Sequence, residues 1–170
     1  MSQQRHLRVW IINGLVAALY LVLSIVPGVF NLANGMIQFR LSEALNHLIV
    51  FNKKYIWGVV IGVLIFDAIP QFGGNLLNVV FGGGQSLIFL WLSTMIMPKL
   101  KKTWQKMALT TGMMTISMCL IALMLHITAQ LPFWYTYLTT AISELVIMAI
   151  TAPIMYYVDK VVHFNHQIEK

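Results

Sequence analysis

Between Lys106 and Asp159 the chain carries a single formal charge, that of Glu144. A stretch of this kind holds two apolar runs, Met107 to Ala129 and Phe133 to Val158. Each reaches the roughly 20 residues a helix needs to cross the hydrocarbon core at about 1.5 Å per residue. The remainder of the chain is built alike. At 59% hydrophobic and 9% charged residues, with a mean hydropathy of +0.78, the 170 residues are read as an all-α integral membrane protein. The length fits one domain, residues 1–170, and leaves no room for a second, catalytic one.

Six apolar segments are expected: about Val9 to Val26, Leu41 to Phe51, Tyr55 to Phe72, Val79 to Met97, Met107 to Ala129 and Phe133 to Val158. The second covers only about 16 Å as a helix and must lean on the segment before it. Arg5 and Arg8 precede the first run as in a signal peptide, but no small-residue cleavage site follows, so it is read as a retained helix. Six crossings with both termini cytoplasmic would put Arg5, Arg8, Lys53, Lys54, Lys99, Lys101, Lys102, Lys106, Lys160 and Lys170 on the cytoplasmic side. The outer loops near Gly73 to Asn78 and Thr128 to Pro132 hold no Lys or Arg, as the positive-inside rule asks. The expected location is a bacterial cytoplasmic membrane, crossed several times.

The basic rim, with Asp159 and Glu169, sums to +8 and suits anionic lipid headgroups. It consists of short clusters between apolar runs, a pattern of loop anchors and not of nucleic-acid binding. One cysteine, Cys119, excludes a disulfide framework and CxxC redox or metal sites. No His, Cys, Asp and Glu grouping has zinc spacing, so no metal is expected. Gly82 to Gly84 lack the Lys and Ser or Thr of a phosphate-binding loop, so no nucleotide hydrolysis, cofactor or enzymatic activity is expected in this chain.

The remaining charges, Arg40, Glu43, Asp67 and Glu144, lie within or at the outer ends of apolar spans and sum to −2. Ionisable groups at such depth are costly unless paired or wet, which makes each a candidate for function. On helical spacing Arg40, Glu43 and His47 share one face, Asp67 falls in the outer half, and Glu144 lies near mid-membrane. All are expected to meet in one outward-opening cavity. Pro70 to Ser86, rich in Gly, Asn and Gln, reads either as backbone lining that cavity, with amide side chains meeting a polar ligand, or as a flexible outer loop. The pairs Gly14/Ala18 and Gly58/Gly62 each allow a close helix contact, inside the chain or with a partner.

The segment Ile37-Gln38-Phe39-Arg40-Leu41-Ser42-Glu43-Ala44-Leu45 resembles the Arg-x-Ser-Glu-Ala-Leu signature of the queuosine-precursor transporter family. Members of that family are substrate-binding S components of energy-coupling-factor (ECF) transporters. Gly74-Asn75-Leu76 through Gly82 is similar to the family's outer loop and fourth helix, and Ser143-Glu144-Leu145-Val146 with Pro153 to its sixth. Asn78 stands where many relatives carry aspartate, and Ser143 replaces a glycine. The resemblance implies a six-helix S-component bundle that captures a small molecule from outside. Import would be driven by ATP in two cytosolic ATPases, coupled through a transmembrane T component. Gly14 and Ala18 would form the contact to that T component. A deazaguanine offers adjacent N–H donors to one carboxylate, and its aminomethyl form offers a cation to another. The implied ligand residues are Arg40, Glu43, His47, Asp67, Asn75, Asn78, Gln85 and Glu144. Another small cationic, vitamin-like solute remains open, as does an intramembrane enzyme using Glu43 and His47.

Overall fold

The computed structural model describes residues 2–29, 40–72 and 74–169. Ile37 to Phe39 of the signature, Gly73 and Lys170 lie outside the described residues, as does the Arg5 side chain. The described residues form helices α1 (Ser2–Val29), α2 (Leu48–Phe51), α3 (Ile56–Asp67), α4 (Leu76–Ile96), α5 (Thr103–Ala129), α6 (Phe133–Val162) and α7 (Phe164–Glu169). Short 3₁₀ turns precede or follow several of them, the longest being Leu41–His47.

The burial pattern suits a lipid solvent. On α6, Thr136, Thr140, Ser143, Glu144 and Thr151 are buried while Ile142, Leu145, Ile150 and Ile154 face outward. Polar groups are inside and the outer skin is apolar. Several hydroxyls on the long helices donate to carbonyls one turn back, as Thr140 does to Thr136 O at 2.8 Å and Thr151 to Ile147 O at 2.7 Å. Four stretches are long and apolar enough to cross a membrane: His6–Val26, Leu76–Lys99, Thr103–Ala129 and Phe133–Val162.

Two of the six expected spans are therefore shorter than a membrane crossing. Leu41–Phe51 is a 3₁₀ turn followed by a single α turn, ended by Asn52, whose backbone is extended and whose side chain caps Lys54 N at 3.0 Å. Helix α3 stops at Asp67 because Pro70 disfavours helical backbone in the residue before it. Its 12 residues rise about 18 Å.

Helices adjacent in sequence pack side by side from α3 through α6, and α1 packs on α3. The turn Leu41–His47 touches both α1 and α6, closing the ring. Glycines permit the tight α1–α3 approach. A side chain on Gly58 would strike Asn13 and Val16, and one on Gly62 would strike Tyr20. Gly58 N–H also donates to Asn13 Oδ1 at 2.7 Å. Gly14 has open space beside it, and Ala18 is likewise exposed.

The seventh helix has no counterpart among the expected apolar runs. His163 takes a left-handed conformation (φ 55°) and ends α6, and Asp159 Oδ1 accepts from Phe164 N–H at 3.0 Å. The short α7 then folds under the bundle. Tyr55 donates to Phe164 O at 2.8 Å, Asn52 Nδ2 to Asn165 Oδ1 at 2.8 Å, and Arg8 Nε to Gln167 O at 2.8 Å. Trp104 packs on Tyr156 with ring centroids 4.9 Å apart, and the Lys160 ammonium lies 4.7 Å from the Tyr156 ring centre. These contacts gather the segments bearing Arg8, Lys53, Lys54, Lys102 and Lys160 at one end of the bundle.

Candidate functional site

The turn Leu41–His47 sets the site's geometry through its winding. Side chains three apart eclipse in a 3₁₀ helix, where in an α-helix they fan out by about 60°. Glu43 and Asn46 consequently stack in one row, with Asn46 Nδ2 donating to Glu43 Oε2 at 2.6 Å. The other oxygen, Oε1, accepts from the Tyr20 hydroxyl of α1 at 2.7 Å. Ser24 and Ser42 add a 2.7 Å hydroxyl pair between α1 and the turn. Glu43, 6% exposed, is thus held from two sides.

At the start of this row Arg40 pairs with Asp67, Nη1 to Oδ1, at 3.3 Å. Its guanidinium also lies 5.3 Å from the centre of the Phe66 ring, which stacks on Phe72. Asp67 gains its place because α4 presents Gly82 opposite it. A side chain at Gly82 would overlap the Asp67 carboxylate, and one at Gly83 would overlap Leu64. The glycine run reads as a packing device for the end of α3.

From α4, α5 and α6 the lining continues. Gln85 Nε2 donates to Ser117 Oγ at 2.6 Å, and Ser117 in turn donates to Met114 O at 2.6 Å. Arg40, Glu43, Gln85, Ser86, Met118, Ile121, Thr140 and Glu144 surround a small cavity, together with Val63 and Gly82. Its volume is about 10 Å³, the space of one water. Glu144 is 4% exposed, and its Oε1 has no hydrogen-bond partner among the described residues. An ionisable oxygen left so in a membrane interior is a strong sign of a ligand-facing group.

Four of the eight sequence-selected residues line the cavity: Arg40, Glu43, Gln85 and Glu144. Asp67 stands behind them as the partner of Arg40. His47 falls elsewhere. It was placed beside Glu43 by α-helical spacing of four, but 3₁₀ winding turns it by about a third of a circle, and its Nε2 lies 3.1 Å from Met148 O on α6. Asn75 is exposed and caps α4, accepting from Asn78 N–H at 2.9 Å. Asn78 is half-buried, and neither asparagine is part of the cavity lining. Tyr20, Asn46, Ser86, Ser117 and Thr140 were not selected from the sequence. A three-residue period from Arg40 would have found Asn46, whereas Tyr20 reads as one more aromatic in an apolar span.

A polar, acid-bearing cavity among apolar helices, four stretches of which are long enough to cross a bilayer, marks a multi-pass membrane protein. The chain belongs to the QueT transporter family, whose pattern it matches over residues 10–160. It is 36% identical over 149 residues to the queuosine precursor transporter QueT of Lactococcus lactis subsp. cremoris (strain MG1363), a match covering 84% of this chain and 86% of the relative. No solved structure matches it. The resemblance drawn from the Arg-x-Ser-Glu-Ala-Leu segment is thereby confirmed at the level of the family.

Proposed function

We propose that the chain is the substrate-binding S component of an ECF-type importer and takes a queuosine precursor, an aminomethyl deazaguanine or close analogue, into the cavity between Glu43 and Glu144. The carrying observation is the convergence of Arg40, Glu43, Gln85 and Glu144 on one buried space in a member of a transporter family whose relative is named for that cargo. Carboxylates accept the ring N–H edge and neutralise a cationic arm, and Arg40 and Gln85 supply donors for a ring carbonyl.

The cavity holds about 10 Å³, so a bicyclic ring fits only when the lining parts. Met118, unbranched and adaptable, lines it with Ile121. ATP-driven import is assigned to a T component and two ATPase subunits. The exposed Gly14 and Ala18 on α1 are its contact face, because small residues let a partner helix approach closely. The basic end of the bundle would then face the cytoplasm.

Calorimetric titration of the detergent-purified chain tests the reading. Submicromolar binding of the aminomethyl precursor, with guanine and thiamine bound far more weakly, is expected. Folded protein that binds none of these overturns the assigned cargo.

A further inference from the structure

The two buried acids of the cavity are held in opposite ways. Both oxygens of Glu43 already accept a hydrogen bond, from Tyr20 at 2.7 Å and from Asn46 at 2.6 Å, and these donors come from different elements. Its charge is spread over two fixed donors and its plane is set. An ionised carboxylate offers about four acceptor sites, so free lone pairs remain in that fixed plane. A rigid, planar acceptor suits rigid, planar donors such as adjacent ring and exocyclic N–H groups.

Glu144 has none of this. Its Oε1 lacks any partner among the described residues, its side chain is buried, and it faces the cavity. Arg40, the cation in the same lining, is engaged at 3.3 Å by Asp67. A buried carboxylate oxygen without a donor is stabilised most by an arriving positive charge and least by a neutral group.

We propose that Glu144 meets the cation of the ligand and selects the protonated aminomethyl form over a neutral analogue, while Glu43, oriented by Tyr20 and Asn46, reads the planar N–H edge common to both forms. This division of labour rests on the cargo class proposed above. Tyr20 and Asn46 are positioning residues in this scheme, acting through Glu43.

The experiment is titration of the full chain in detergent with the aminomethyl deazaguanine and its neutral nitrile analogue, on wild type, Glu144→Gln and Tyr20→Phe. Wild type is expected to prefer the amine by at least tenfold. Glu144→Gln should weaken the amine at least tenfold and change the nitrile less than threefold, so the preference collapses. Tyr20→Phe should weaken both ligands by a similar factor and keep their ratio, which a general loss of packing in the Glu144 region would not do. Equal loss of both ligands in a folded Glu144→Gln protein overturns the assignment, as does an unchanged preference. Should Glu144→Gln fail to fold, the wild-type arm still decides, because equal affinity for amine and nitrile overturns selection by charge. Wild type that binds neither compound overturns the cargo class itself, a result distinct from binding both without discrimination.

Discussion

The Asp67 carboxylate occupies the space that a side chain on Gly82 would need. The end of α3 and the first third of α4 are in this way fitted to each other at the point where Asp67 turns to hold Arg40. Replacing Gly82 by Ala forces the carboxylate aside, and overpacking of this kind costs about 1–3 kcal/mol. The variant is expected to unfold at lower temperature in detergent and to bind precursor more weakly. A Gly84→Ala control, where a methyl group meets open space, should leave both unchanged.

The Arg40–Asp67 pair lies in the interior, with side chains 13% and 3% exposed. Removing Arg40 leaves the buried Asp67 carboxylate without its cation, at about 3–5 kcal/mol, and removing Asp67 takes a counter-charge from Arg40. Arg40→Gln and Asp67→Asn should each lower the unfolding midpoint sharply. The double variant should recover much of the loss, because neither member of the pair is then left charged without the other. A double variant as unstable as the sum of the singles would show that the two residues do not act as a pair.

The two small-residue pairs are expected to respond differently to the same change. Gly62→Val drives a branched side chain into Tyr20 and should destabilise the isolated chain. Gly14→Val meets nothing within the chain and should leave its thermal stability intact. Co-purification with the proposed T component is the readout for Gly14→Val, and its loss with stability retained would place that face at a subunit contact.

Helix α7 should act as a staple at the basic end. Tyr55→Phe removes the hydrogen bond to Phe164 O, and Asn52→Ala removes donors to both Asn165 Oδ1 and Glu169 Oε1. Each ordinary hydrogen bond is worth about 1 kcal/mol. Hydrogen exchange at the amides of residues 164–169 is expected to speed up in both variants, with exchange in α5 unchanged.

Much of the architecture was legible from charge and hydropathy alone. Three of the four membrane-length stretches, α4 to α6, fall on expected runs with their boundaries shifted by a few residues, and α1 extends the first run at both ends. Of the charged residues set deep in apolar sequence, Arg40, Glu43 and Glu144 line one cavity and Asp67 pairs with Arg40. Local winding was not legible. Apolar periodicity does not distinguish 3₁₀ from α over seven residues, and that difference decides whether Asn46 or His47 stands beside Glu43. Nor could the role of Asn75 be read, because the same amide serves a ligand or a helix cap according to which backbone N–H lies next to it. Helix α7 escaped for a related reason. It is short and mostly polar, and it is held by a buried Ile168, by Phe164 against Phe51 and Tyr55, and by hydrogen bonds from Arg8, Asn52 and Tyr55.

Tyr20 stands two positions beyond Ala18 on α1, so the exposed flank of that helix and the hydroxyl that grips Glu43 move as one body. A slide of α1 along its axis by one residue, about 1.5 Å, carries the Tyr20 hydroxyl with it and changes the geometry of its 2.7 Å bond to Glu43. Anything that grasps the helix from the lipid side therefore has a lever on the carboxylate within. By thermodynamic reciprocity, whatever settles against that carboxylate alters how firmly the helix can be grasped.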